Sequence, residues 1–261
     1  MGKEHGGTSD PARILELLWR EPGAGQPRRG PRQGLSVDAV VQVAVELADS
    51  DGLEALTMRG IARQLGVTPM TLYTYVPGKV ELLDLMLDAV YLRMPRGDRP
   101  AASWRGAVEA VARENRDLYR SHPWVVTMST ARPPLGPGLM AKYEHELAAF
   151  EGSGLGDVET DEALTLLLGF VHSTARAALD AKAAARDSVM SDQQWWAANE
   201  PLLAKVFDPA RFPLAARIGS AAGERHQGMY DPDHAFDFGL ERILDGIARL
   251  GDDRDARSSG E

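Results

Sequence analysis

The amino-acid sequence predicts an all-α protein in which a small N-terminal helical domain precedes a larger helical one. Three observations support this. Apolar residues recur at three- and four-residue spacing in one segment after another. Ser, Thr or Asp stands before many of these segments and Gly or Pro after them, as helix caps and stops require. No segment shows the period-two alternation of a half-buried strand. The length of 261 residues exceeds one typical domain and suggests two.

The elements follow in order. PARILELLWRE (11–21) offers Ile14, Leu15, Leu17, Leu18 and Trp19 to a short amphipathic helix that ends by Pro22. Next, QPRRGPRQG (26–34) carries Arg28, Arg29 and Arg32 and no acid. Two readings stand for this run, a basic arm or a solvated linker. Ser36 can cap a helix whose apolar face holds Val37, Val40, Val41, Ala44, Val45, Leu47 and Ala48, stopped by DSDG at 49–52. Thr57 can cap a second helix, with Ile61, Ala62 and Leu65 on one face and Gly66 as its left-handed C′ residue. Thr68 is the next N-cap, and Pro69 follows at the first helical position, where its missing N–H costs nothing.

In that third helix Leu72, Tyr73 and Val76 recur at near-helical spacing and are expected to pack inward, while Met70, Thr71, Thr74 and Tyr75 can face out. Two short helices joined by a tight Gly-containing turn make a helix-turn-helix, whose second helix fits the major groove of B-DNA. Outward threonines and tyrosines can bond phosphates or base edges there. The competing reading is ordinary amphipathic packing, but the caps, the turn, the proline and the polar face all agree with the first.

The rest also reads as helical. Residues 78–94 form a long apolar-rich helix ended by Pro95, and 102–122 an amphipathic one before Pro123. A kinked connection (123–138) leads to a helix at 139–154. Residues 158–188 are apolar through the middle and need cover on most sides. A polar, Pro-rich stretch from about 186 to 233 is expected to hold short helices on a mobile crossing. The last helix, 233–250, has Asp233 as its candidate cap, and a disordered tail is expected over 251–261.

Composition narrows the function. Cysteine is absent, which removes disulfide frameworks, thiolate zinc sites and cysteine nucleophiles. No apolar run is long enough to span a membrane and no signal peptide core is visible, so a cytoplasmic protein is expected. The formal net charge is −9, but residues 1–80 hold nine basic and nine acidic side chains, so the whole excess lies on 81–261. The six histidines form no HxxxH or HExxH pair, and neither GxSxG nor a P-loop occurs, so no catalytic residue, metal or cofactor is expected. Two binding functions remain: a DNA-binding regulator, and a helical adaptor or small-molecule-binding protein without sequence-specific DNA binding.

Residues 34–90 resemble the tetracycline-repressor (TetR) family of bacterial regulators, through the Asp-Gly-Leu turn, the Leu-Gly-Val turn and TLYTYV in register. The second half is similar to the tetracycline-repressor C-terminal type, through SHP…TARP (121–133), FVHST (170–174) and AFDFGLERILDGI (235–247). The resemblance implies a homodimer with an extension at 1–33, a DNA-binding head at 34–80 and a ligand-binding and dimerisation core at 81–250. The intersubunit bundle would be built from helices 158–185 and 233–250. It implies a double-stranded DNA operator and a small-molecule effector that releases the repressor.

By the same resemblance, DNA contacts fall on Thr57, Arg59, Thr68, Pro69, Met70, Thr71, Tyr73, Thr74, Tyr75 and Lys79, with the arm arginines 28, 29 and 32 reaching an adjacent minor groove. Pro69 and Thr74 stand where tetracycline repressors have Gln and Trp, so a tetracycline operator is not expected. Candidate ligand-binding residues are Trp124, Met128, Arg132, Tyr143, Phe170, His172 and Thr174, each large apolar one equally suited to core packing. His172 matches a family pocket histidine and Asp180 a metal-site glutamate. Met128, however, precedes TARP where the family has a histidine, and a thioether is a poor magnesium ligand. A magnesium–tetracycline chelate is therefore not expected.

Overall fold

The computed structural model describes residues 10–21, 35–97, 103–128, 132–187, 191–226 and 231–258. The regular elements among them are all helical. They are α1 (Pro11–Leu18), α2 (Val37–Ala55), α3 (Met58–Gln64), α4 (Pro69–Tyr73), α5 (Lys79–Arg93), α6 (Trp104–Ser121), α7 (Pro137–Leu147), α8 (Asp157–Asp187), α9 (Asp192–Val206), α10 (Pro213–His226) and α11 (Pro232–Ser258). Short 3-10 turns occupy Pro123–Thr127 and Ala148–Phe150. No described helix is long and apolar enough to cross a membrane. The chain divides into two compact units, Met1–Leu164 and Thr165–Glu261.

In the first unit, α2, α3 and α4 close around Val40, Val41, Ala44, Ile61, Ala62, Leu72 and Val76, all buried. Ser36 caps α2 by accepting the amide of Ala39 at 3.1 Å. The helix passes through 49–51 and breaks at Gly52, whose φ of 80° is open to glycine but strained for other residues. The DSDG stop thus acts at its last residue. Tyr73 departs from the expected inward face: it is 44% exposed, because a five-residue helix has room for one buried stripe, and Leu72 with Val76 fills it.

Helix α5 links this three-helix group to α7 within the same unit. Its Leu82, Leu85, Met86 and Val90 are buried, and it packs on both α2 and α7. The α5–α7 approach is close. A Cβ on Gly138 would lie 1.9 Å from the Asp88 carbonyl oxygen, and one on Gly136 would lie 2.4 Å from its carboxylate. Asp88, itself buried, accepts the Leu139 amide at 2.9 Å and so caps α7 from another helix.

In the second unit, Phe170 of α8 stacks on Phe236 of α11 at 5.8 Å, over Gly239, which leaves room for the ring. Two differences from the sequence reading occur at α11. Its cap is Asp231, which accepts the amides of Asp233 and His234 at 3.1 and 3.0 Å, rather than Asp233. The helix also runs past Leu250 to Ser258, through the stretch expected to be a disordered tail. Among the described residues around 186–233 are two helices of 15 and 14 residues, α9 with a capping box at Ser191 and Gln194.

Candidate nucleic-acid interface and effector core

The α3–α4 turn is fixed by backbone bonds. Val67 N–H donates to the Ala62 carbonyl at 2.9 Å and Gly66 N–H to that of Arg63 at 3.2 Å, the paired bonds of a Schellman ending, with Gly66 at φ 68°. Thr57 caps α3 through the Gly60 amide at 3.1 Å, and Thr68 caps α4 through that of Thr71 at 3.2 Å. These bonds set the angle at which α4 leaves the head.

The outward face of α4 is polar. Thr68, Pro69, Met70, Thr71, Tyr73 and Thr74 are exposed, as are Thr57, Arg59 and Lys79, and Tyr75 is half-buried. All ten therefore lie at or near the surface of one small head. Thr74 Oγ1 donates to the Thr71 carbonyl at 2.6 Å, and the hydroxyls of Thr68 and Thr71 lie 2.9 Å apart, so the threonines are held in fixed rotamers. Lys79 Nζ reaches the Leu53 carbonyl at 3.3 Å, which places the ammonium beside the Gly52 break. Arg28, Arg29 and Arg32 lie outside the described residues.

Four of the seven candidate ligand residues belong to the first unit and three to the second. Trp124 is buried in the 3-10 turn after α6, and its indole donates to Asp49 of α2 at 2.7 Å; His122 Nδ1 meets the same carboxylate at 2.8 Å. These two contacts join the 3-10 turn to α2. Met128 is half-buried just after, and Arg132 is exposed. Tyr143 stands on the rim of a cleft of about 530 Å³ with Glu144, Glu151, Asp157 and Asp161. Its hydroxyl donates to Asp161 at 2.6 Å, and that bond raises the phenol's pKa. Phe170 packs on α11, His172 is half-buried, and Thr174 bonds back to the carbonyls of Phe170 and Val171.

Sequence reasoning missed a buried polar cluster between α5, α6 and α7. Glu146 Oε1 receives Lys142 Nζ and Asn115 Nδ2, each at 2.6 Å, and Lys142 Nζ lies 5.3 Å from the centre of the Tyr91 ring. Asn115 Nδ2 also donates to the Val111 carbonyl at 3.0 Å. Two acceptors thus fix the orientation of the amide and leave Asn115 Oδ1 buried without a donor. Burial pushes Tyr119 up to about 12 and raises Tyr91 further. A signal was present: Asn115 interrupts the apolar stripe Val108, Val111, Ala112, Leu118.

Known proteins share this architecture. Residues 40–86 match the family described as bacterial regulatory proteins, tetR family, and residues 96–250 match the tetracyclin repressor-like C-terminal domain. The HTH-type transcriptional repressor DrrR1 of Streptomyces coeruleorubidus is 43% identical over 249 residues, covering 95% of this chain and 89% of the relative. The class E tetracycline repressor protein of Escherichia coli is 26% identical, over 84% of this chain and 94% of its own. Among solved structures, ActR of Streptomyces coelicolor in complex with actinorhodin matches with a TM-score of 0.68 at 27% identity, over 84% of this chain and 99% of that one. With its capped helix-turn-helix and its helical core, the chain belongs to the TetR family of bacterial regulatory proteins and is a DNA-binding transcriptional regulator.

Proposed function

We propose that this regulator is a repressor that binds a twofold-symmetric operator as a homodimer and is released when a small molecule enters its C-terminal core. The single observation that carries the reading is the row of exposed polar residues on α4, held at a fixed angle by the Schellman turn. The head is residues 34–80 and the core 81–250. Base and phosphate contacts come from Thr57, Arg59, Thr68 to Thr71, Tyr73 to Tyr75 and Lys79. The dimer seam uses the helices at 158–185 and 233–250, which is supported by Leu166 and Phe238, more than half exposed in the single chain. Effector release is supported by ActR, a relative in structure that was solved with actinorhodin, and repression by the name of DrrR1.

Selection of duplexes from a random pool by the purified protein, followed by footprinting, tests this reading. Inverted half-sites about a helical turn or a multiple apart are expected. A single unrepeated half-site at dimer stoichiometry, or no salt-dependent duplex binding at all, would refute it, the latter in favour of a helical small-molecule binder.

A further inference from the structure

Helix α1 lies outside both family-matched stretches, yet it is docked in three places. Leu18 is buried and the helix packs on α5. Trp19 Nε1 donates to the Leu135 carbonyl at 2.8 Å, in the loop that enters α7. The Arg20 guanidinium pairs with Asp38 in the first turn of α2, and its charge also acts on Asp88 of α5. The three anchors therefore sit on the first helix of the head, on the connecting helix and on a loop of the core.

A free eight-residue helix is not stable in water, so α1 is helical because those three surfaces stand where they do. The Trp19 indole and the Arg20–Asp38 pair are both partly exposed, and each contact is correspondingly weak. Such an element favours one arrangement of its anchors without locking it.

We propose that α1, through Trp19 and Arg20, is a brace that fixes the connecting helix α5 against α2 and the 132–136 loop, and so holds the DNA-reading head in the position seen here. The proposal rests on the reading of the chain as a dimeric DNA-binding regulator. Trp19 and Arg20 are positioning residues: they act through α5 and α2, not by touching DNA. An effector that swings α5 must part at least one anchor, so the brace opposes release and sets how much differential ligand affinity the switch requires.

The test uses the full chain with Trp19→Ala and Arg20→Ala combined, and as probe a duplex selected by the wild-type protein. Because the chain has no cysteine, Gln64→Cys at an exposed position of α3 takes a single nitroxide label, and pulsed electron resonance then reads the distance between the two heads of the dimer. The brace predicts a broader head-to-head distance distribution and operator affinity about 3–10-fold weaker at every salt concentration, the size expected from one hydrogen bond and one exposed ion pair, with an unchanged salt slope. An unchanged distance distribution overturns the proposal. So does an affinity loss with a flatter slope, which would make α1 a direct phosphate contact. Trp19→Phe and Arg20→Gln, which keep most of the packing, repeat the measurement if the double variant unfolds. If the wild-type protein selects no duplex, the DNA-binding reading fails, and the distance distribution alone then decides whether the brace exists.

Discussion

Asp88 on the connecting helix accepts the backbone amide of Leu139, 51 residues away, at 2.9 Å, and so caps a core helix from the element that carries the DNA-binding head. A helix end satisfied this way cannot move independently of its cap without exposing its N–H groups. Helices α5 and α7 therefore act as one lever, and a ligand that displaces α7 moves the base of the head.

The ionisation of Asp88 gives a first prediction. Burial, the dominant influence, raises its pKa above the ordinary carboxylate value despite the opposing Leu139 and Gly138 amides and the charge of Arg20. The folded state thus holds this proton to a higher pH than the unfolded chain. Charged Asp88 costs stability above the raised value, and acidification towards the ordinary carboxylate pKa recovers it. The melting temperature of wild type relative to Asp88→Asn should rise as pH falls through that window; a difference independent of pH would contradict this.

Gly138→Ala should be among the most damaging small substitutions. Its Cβ would meet a backbone oxygen at 1.9 Å, which no rotamer change relieves, so the α5–α7 pair must separate. Overpacking typically costs about 1–3 kcal/mol, and a backbone clash belongs at or above the upper end. Denaturant unfolding measures it, and a midpoint equal to wild type would show that the pair opens freely.

The Lys142–Glu146 pair predicts non-additivity. Lys142→Met alone leaves a buried carboxylate without its counter-charge and should cost about 3–5 kcal/mol. Lys142→Met with Glu146→Leu removes both charges and should recover most of that loss. A double-mutant cycle whose single-variant losses simply add would show that the two side chains are not coupled.

At the DNA surface, Lys79→Ala should weaken binding to all duplexes and lower the salt slope by about one unit, because one phosphate contact is lost. Lys79 holds only a 3.3 Å bond to the Leu53 carbonyl, so its loss should leave the fold intact. A slope equal to wild type would remove its assigned role.

The helix-turn-helix was legible because its determinants are local. Ser36, Thr57, Thr68 and Gly66 each act on backbone groups within a few residues, so spacing alone located them. Asp231 was missed for Asp233 because two acids stand at nearly equivalent positions and only backbone geometry selects between them. The lever and the polar cluster were not legible. Asp88 finds its partner across 51 residues, and Lys142, Glu146 and Asn115 look like surface residues until α6 and α7 are brought together. The Trp124 indole bond to Asp49 was not legible either, because it spans 75 residues of sequence.

The five-residue helix α4 owes its place chiefly to Leu72 and Val76 beneath it and to the capped turn before it, while the side chains of Met70, Thr71, Tyr73 and Thr74 are exposed. On the proposed DNA contacts, recognition and burial fall to different side chains of one short segment. Variants at 70, 71, 73 and 74 should yield a library of stable proteins with diverging target preferences. Ancestral duplication followed by drift at those four positions would give mutually blind regulators within one genome, and the same freedom suits the head to engineered circuits that need many non-interfering switches.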